Sequence, residues 1–244
     1  MTQESHSLIA LLPMKANSDR VKGKNFRNFA GRPLFRWILD TLLEIEEIDL
    51  VVINTDAREI LAENGLTDSK RVLIRDRKPE ICGDMVSMNR VLADDLDAIR
   101  SATYLMTHTT NPLLRAATIQ AAYESYLQSR KDGFDSLFSV NRYQTRFYRE
   151  DGSPVNHDPD NLVRTQDLEP WYEENSNLYI FNRGSFAETG ARIGARPQMF
   201  ETPHLESADI DDATGWHLAE IIALSHYVAL SYQDHSVRQK RVAR

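Results

Sequence analysis

The sequence holds a single cysteine, Cys82, in 244 residues. An intramolecular disulfide and a cysteine-rich zinc site are therefore excluded, and nothing around Cys82 reads as an activated thiolate. The seven histidines are scattered without zinc-ligand spacing. No apolar run approaches the roughly 18 residues that a membrane-spanning helix requires. The opening Met1-Thr2-Gln3-Glu4-Ser5-His6 has neither the basic nor the apolar segment of a secretory signal, so a cytoplasmic protein away from membranes is expected. Also missing are the glycine fingerprints GxxxxGK[ST] and GxGxxG, which sets aside a Walker-type loop and an NAD-dependent oxidoreductase. Excess positive charge is absent too. The net charge is −7, against the clustered positive charge that nucleic-acid binding demands.

What remains is an ordinary globular composition, 41% hydrophobic and 27% charged, within reach of one α/β domain covering residues 1–244. Against the acidic background, five cations crowd one short segment: Lys15, Arg20, Lys22, Lys24 and Arg27. A local basic loop on an acidic protein suits a specific anionic ligand, although a solvated surface loop would have the same composition.

Strand and helix signals alternate from the start. Ser7–Met14 is a nearly continuous apolar run, as in a strand buried on both faces of a parallel sheet. Pro33 opens a helical pattern with Leu34, Trp37, Ile38, Leu42 and Ile45 apolar. Leu50–Asn54 reads as a second strand, Ala57–Asn64 as a helix closed by Gly65, and Arg71–Ile74 as a third strand. A helix over Asp84–Arg100, a strand Thr103–Thr107, a helix Ala116–Gln128 and the strands Ser136–Val140 and Asn177–Phe181 complete the pattern. A last helix from Asp211 would turn Leu218, Ile221, Ile222 and Leu224 to its apolar side. No internal repeat is present. This order predicts a mostly parallel sheet with helices on both faces, and ligands beyond the carboxyl ends of the strands. The candidate loops are then Pro13–Asn25, Thr55-Asp56 and His108–Pro112. Residues 143–171 are polar, aromatic and turn-rich, with too little apolar sequence for a core of their own. They read as an excursion from the main domain, suited to dimerisation or to the substrate side.

The first loop follows a strand and precedes a helix, where backbone N–H groups can cradle phosphate. Gly23 lets the backbone approach closely, lysines act as point charges, and Asn17 or Asn25 can read a base edge or ribose. Far downstream, Asp209-Ile-Asp211 would put two carboxylates on one face of an extended segment. Such hard oxygen donors suit magnesium, which takes one or two carboxylates plus phosphate oxygens. The alternative is that Asp211 caps the helix starting near Ala213, a role that Asp212 can also fill.

The segment Ala16-Asn-Ser-Asp-Arg-Val-Lys-Gly-Lys-Asn-Phe-Arg-Asn-Phe-Ala-Gly-Arg-Pro-Leu34 resembles the opening motif of the acylneuraminate cytidylyltransferases. The resemblance continues through Asn54-Thr-Asp56, Thr109-Thr-Asn-Pro-Leu113, Asp135-Ser-Leu-Phe-Ser-Val140, Glu174-Asn-Ser-Asn-Leu-Tyr-Ile180 and Glu206-Ser-Ala-Asp-Ile-Asp211. Each block is weak alone, but six in family order over nearly the whole chain are specific. The resemblance implies a Rossmann-like nucleotidyltransferase fold, three-layer α/β/α, with a small dimerisation insert and a homodimer. It implies transfer of a cytidylyl group from CTP to a 2-keto sugar acid of acylneuraminate type, with Mg2+ and release of pyrophosphate. Rival readings are another ulosonic acid (Kdo, legionaminate or pseudaminate) and a noncatalytic nucleotide-binding protein on the same fold. Lys24, Lys15 and Asp211 would be catalytic. Pro13, Lys15, Asn17, Ser18, Lys24, Asn25, Arg77, Asp84 and Ser87 would lie along the nucleotide. His108, Thr109, Thr110, Asn111 and Asn175 would face the sugar acid, and Asp209 with Asp211 would hold the metal. The chain departs from the family pattern at Lys15, where arginine is usual, and at His108, where glutamine is usual. It departs again at Leu114-Arg115, where the arginine comes one residue late.

Overall fold

A computed structural model describes residues 6–17 and 21–225. Seven strands make one sheet: β1 (His6–Leu11), β2 (Leu50–Thr55), β3 (Val72–Asp76), β4 (Ser101–Thr107), β5 (Ser136–Tyr143), β6 (Trp171–Phe181) and β7 (Pro197–Glu201). Their order across the sheet is β3-β2-β1-β4-β6-β5-β7. All neighbours pair in parallel except β6, which is antiparallel to both β4 and β5. Packed on the sheet are α1 (Leu34–Glu44), α2 (Arg58–Glu63), α3 (Met88–Ala98), α4 (Ala116–Ser129) and α5 (Arg183–Thr189). A sixth helix, α6, occupies residues 213–225.

The period-two geometry of β1 explains its unbroken apolar sequence. Leu8, Ala10 and Leu12 join a core with Phe35, Ile38 and Leu42 of α1 and Ile119, Ala122 and Tyr126 of α4. Ile9 and Leu11 point the other way, into a core with Leu92 and Leu96 of α3 and Phe186 of α5. This is the three-layer α/β/α arrangement with a mostly parallel sheet. Each fully buried Leu or Ile of β1 contributes about 1.5–3 kcal/mol, so the central strand is firmly set. No described helix is long and apolar enough to cross a membrane.

A third, smaller cluster matters more for the site. Val21, Phe29 and Leu34 gather with Ile210, Trp216, Ala219 and Ala223. Phe29 meets Trp37 and Trp216 edge-on, at ring separations of 5.5 and 5.4 Å. The cluster ties the basic loop to α6, some two hundred residues later, and seats Ile210 between them.

Several expectations need correcting. The helix expected over 84–100 begins only at Met88, because Ser87 caps it by accepting the Asn89 N–H at 3.3 Å. α6 does not bury the expected Leu218, Ile221 and Leu224, which are 56%, 65% and 48% exposed. Its inner face is Trp216, Ala219 and Ala223, spaced for one helical stripe. The small alanines let the helix lie close on the loop, which sequence hydrophobicity alone does not reveal. β6 starts six residues before the apolar run 177–181, because its outer end is exposed. β7 and α5 were not anticipated: β7 is an edge strand of mixed polarity, and α5 is set by a capping box between Asn182 and Ser185. Residues 144–170 connect the ends of β5 and β6, with Phe147 stacked on Trp171 at 5.5 Å.

Candidate active site

The site assembles where β1, β2 and β4 end. Beyond β1 the chain stays clamped to β2: Leu12 donates its N–H to Val52 and Met14 to Asn54, at 2.8 and 3.1 Å. Pro13 is buried in this passage. Ala16 donates to the Asp56 carboxylate at 2.7 Å, so the Thr55-Asp56 turn holds the entry of the basic loop. Arg77 is buried beneath it and gives its guanidinium to Asn54 Oδ1, Asn54 O and Met14 O. Its first visible work is therefore to position the loop, and burial lowers its pKa from the usual value. Asn17 is exposed, and Ser18 lies outside the described residues.

Gly23 takes a left-handed conformation (φ 59°), which lets residues 24–26 turn inward as a single 3-10 turn. Asn25 is thereby buried and joins two loops. Its amide donates to Lys15 O at 2.8 Å, and its Oδ1 accepts from the Thr109 hydroxyl at 2.6 Å. Lys24 is also buried, and its Nζ donates to Ile210 O at 2.7 Å, with Asp211 Oδ1 3.9 Å away. Thr110 O accepts the Ile210 N–H at 3.0 Å from the other side.

Segment 209–211 is thus held between the loop after β1, the first loop, and the loop after β4, the fourth. Ile210 is buried in the third cluster, while Asp209 and Asp211 both face outward. Asp212 takes over the cap of α6, accepting the Gly215 N–H at 2.8 Å, so Asp211 is not used for that purpose. Desolvation and repulsion from Asp211 raise the Asp209 pKa, against the Thr110 hydroxyl and Lys24, which lower it. Two like-charged hard donors on one outward face suit a divalent cation. Among the described residues no cluster of three or more His, Cys, Asp or Glu donors occurs. Such a pair fits magnesium, which takes one or two carboxylates together with phosphate oxygens.

Lys15 pairs with Asp84 at 2.5 Å, their side chains 37% and 56% exposed. An ion pair that open to water is worth only about 0–1 kcal/mol, so Lys15 can readily leave Asp84 for another anion. Asp84 and Ser87 lie at this rim, ahead of α3. Opposite, His108 follows β4. Burial first, then Arg192 and Lys24, push its pKa down to about 3, against the pull of Asp211, so the imidazole is neutral.

Two asparagines expected to face the sugar acid are buried in the structure. Asn175 is buried on β6, accepting from the Ser139 hydroxyl and donating to Asn141 and Thr202. Asn111 is wholly buried, and neither atom of its side-chain amide has a hydrogen-bond partner among the described residues. Sequence reasoning missed Arg192. Its partners Tyr179 and Glu174 sit on another element, and no local motif marks it.

A family model described as cytidylyltransferase matches residues 9–240. N-acylneuraminate cytidylyltransferase of Oncorhynchus mykiss is 27% identical over 226 residues, covering 89% of this chain and 50% of that protein. Pseudaminic acid cytidylyltransferase of Campylobacter jejuni subsp. jejuni is 23% identical, covering 88% of this chain and 95% of that protein. The chain thus spans about half the length of several curated relatives that it matches. Among solved structures, a CMP-2-keto-3-deoxy-manno-octonic acid synthetase complexed with CTP superposes with a TM-score of 0.61 at 12% identity, covering 91% of this chain and 99% of that one. A 4-diphosphocytidyl-2C-methyl-D-erythritol synthase from Anaerococcus prevotii gives a TM-score of 0.62 at 11% identity, covering 90% and 97%. At such identities these two speak for the fold alone. The match over residues 9–240, on a sheet whose first and fourth loops meet at an outward aspartate pair, settles the assignment: the chain belongs to the cytidylyltransferase family.

Proposed function

We propose that the protein transfers a cytidylyl group from CTP to a 2-keto sugar acid of acylneuraminate type, giving a CMP-sugar and pyrophosphate. The observation that carries this reading is Lys24, whose ammonium is fixed to Ile210 O beside Asp211. A triphosphate lying along the basic loop would bring its α-phosphate to that point. The sugar's anomeric hydroxyl attacks the α-phosphorus. As the new P–O bond forms, the bond from the α-phosphorus to the oxygen bridging to the β-phosphate breaks, pyrophosphate departs with that oxygen, and the hydroxyl proton passes to water. Lys24, with Lys15 released from Asp84, balances charge on the departing pyrophosphate, so positioning and electrostatics supply most of the rate gain. Asp209 and Asp211 would hold magnesium, which when bound supplies Lewis acidity at the phosphate. Thr109, bonded to Asn25, keeps the fourth loop in register with the first, and Thr110 supports Asp209.

Residues 143–171 serve as the dimerisation arm in this reading. Support comes from Tyr148, Leu162, Val163 and Trp171, which are large, apolar and exposed there. Light scattering tests it: a monomeric mass at micromolar concentration removes the homodimer.

The central test is Asp211→Ala. Since Asp212 caps α6, the fold should survive and CTP-dependent pyrophosphate release should vanish. Undiminished turnover would remove the metal assignment. A specific observation favours a second reading within the same chemistry. His108 stands neutral where the family pattern has glutamine, and a pseudaminic acid relative matches over nearly its whole length. Pyrophosphate release with N-acetylneuraminate, pseudaminate, legionaminate and Kdo as separate acceptors decides between the two.

A further inference from the structure

Between the start of α3 and the segment 191–193 lies a cavity of about 310 Å3, lined by Ser87, Met88, Asn89, Glu174 and Arg192 among others. That volume is at the lower end of small-molecule pockets and large enough for one sugar. It adjoins the nucleotide rim, because Ser87 caps α3 just after Asp84, the partner of Lys15.

Arg192 is held in this cavity by design of the surrounding chain. Its guanidinium carbon lies 3.9 Å from the centre of the Tyr179 ring, and Nη2 donates to the Tyr179 hydroxyl at 3.0 Å. Tyr179 is itself fully buried in the second core, and its hydroxyl donates to Glu174. The Arg192 backbone N–H reaches Asn89 Oδ1 at 3.4 Å, fixing the segment to α3. The nearest acid, Glu174, is 3.5 Å away with its side chain 43% exposed, a pair that water screens heavily. Two contacts leave most of the five guanidinium donors for another acceptor.

The substrate chemistry asks for such a group. In a 2-keto sugar acid the carboxylate is attached directly to the anomeric carbon, so it approaches the α-phosphate together with the attacking hydroxyl. Two anions converge, and a cation must offset their repulsion. Lys24 and Lys15 lie on the phosphate side of the cleft, with Lys24 bound to Ile210 O. Arg192 belongs to the β6 side: it meets Glu174, which lies just before the Leu178 that pairs with Thr107 at the end of β4.

We propose that Arg192 receives the carboxylate of the sugar acid in this cavity and thereby selects acids over neutral sugars. A planar guanidinium offers the two parallel N–H groups that a carboxylate accepts, which a lysine does not. The inference rests on the cytidylyl-transfer reading and fails separately from it.

The test measures steady-state pyrophosphate release for wild type, Arg192→Gln and Arg192→Lys. The acceptors are N-acetylneuraminate, pseudaminate and Kdo, and then the C1 amide of whichever acid turns over best. Arg192→Gln should raise the KM for the acid about 10–100-fold, the weight of a charge-assisted hydrogen bond. The KM for CTP should stay within about twofold, since uniform binding of the other substrate is untouched. The preference for acid over amide should collapse in Arg192→Gln and return in part in Arg192→Lys. An unchanged acid KM, or an unchanged acid-to-amide preference, overturns the assignment. So does a KM for CTP that rises in step with a falling melting temperature, which would mark a structural role. If Arg192→Gln does not fold, Arg192→Lys carries the test through its acid-to-amide preference, which should fall below that of wild type. Wild-type protein that releases no pyrophosphate with any acid removes the function reading, and this inference with it.

Discussion

The two sides of the cleft are built differently. On the side of the first loop, the polar groups are tied down before any ligand is considered. Asn25 spans Lys15 O and the Thr109 hydroxyl, Arg77 is spent on Asn54 and Met14, and Lys24 is fixed to Ile210 O. On the side of β6 and segment 191–193, His108 is held neutral at the cleft, and Arg192 rests on a tyrosine ring beside a cavity. A preorganised side suits a ligand that never changes, as the triphosphate would be in the proposed reaction. A side that presents a single guanidinium at a cavity can be altered at one residue without unfolding the rest. The reaction class would then be written in the locked half and the identity of the acceptor in the other.

Lys24 offers the hardest way to break that comparison. Lys24→Ala removes the buried charge at the point where the loop meets Asp211, and should lower kcat by about 10²–10³-fold, as loss of one preorganised electrostatic donor does elsewhere. Single-turnover pyrophosphate release measures it. A loss of less than about fivefold would mean that the locked side is merely structural.

Asn25 and Asn175 separate position from function at equal burial. Both amides are nearly fully buried and hydrogen-bonded at nitrogen and oxygen alike, so Asn25→Ala and Asn175→Ala should each cost about 1–3 kcal/mol of stability. In a domain of this size that lowers the melting temperature by roughly 2–4 °C per kcal/mol. Only Asn25→Ala should also raise the KM for CTP, because it releases Lys15 O and Thr109 together. A raised sugar-acid KM in Asn175→Ala would return Asn175 to the substrate contacts that its sequence block implied.

Much of the fold was legible because β1, β2 and β4 bury both faces and therefore spell themselves as apolar runs. The glycine after α2 was legible for a local reason: Gly65 does take a left-handed conformation, with φ 71°. The parts that sequence misread are those set by tertiary partners. The inner face of α6 is Trp216 with two alanines, chosen by closeness to the loop rather than by side-chain size. Ile210 shows the opposite case. An apolar residue between two aspartates on an extended segment must turn inward if both carboxylates face out, and it does. Arg192 could not be found this way, since what gives it meaning is Tyr179, thirteen residues upstream on a different element.

His108 gives the smallest and most delicate effect. Its folded pKa lies far below the free value of about 6.5, so between the two values the unfolded chain binds the proton and the folded chain does not. Stability from this residue is complete above that free value and is lost as pH falls through the window toward the folded pKa. His108→Gln removes the titration. Its melting temperature should run level with that of wild type above about pH 7 and fall less steeply than wild type between about pH 6 and 4. Turnover above neutral pH should keep the same pH profile in both proteins, because the imidazole is already uncharged there. Parallel melting curves across the acid range would show that His108 titrates freely. The substrate side would then lack the neutral group that sets it apart from the cationic loop facing it.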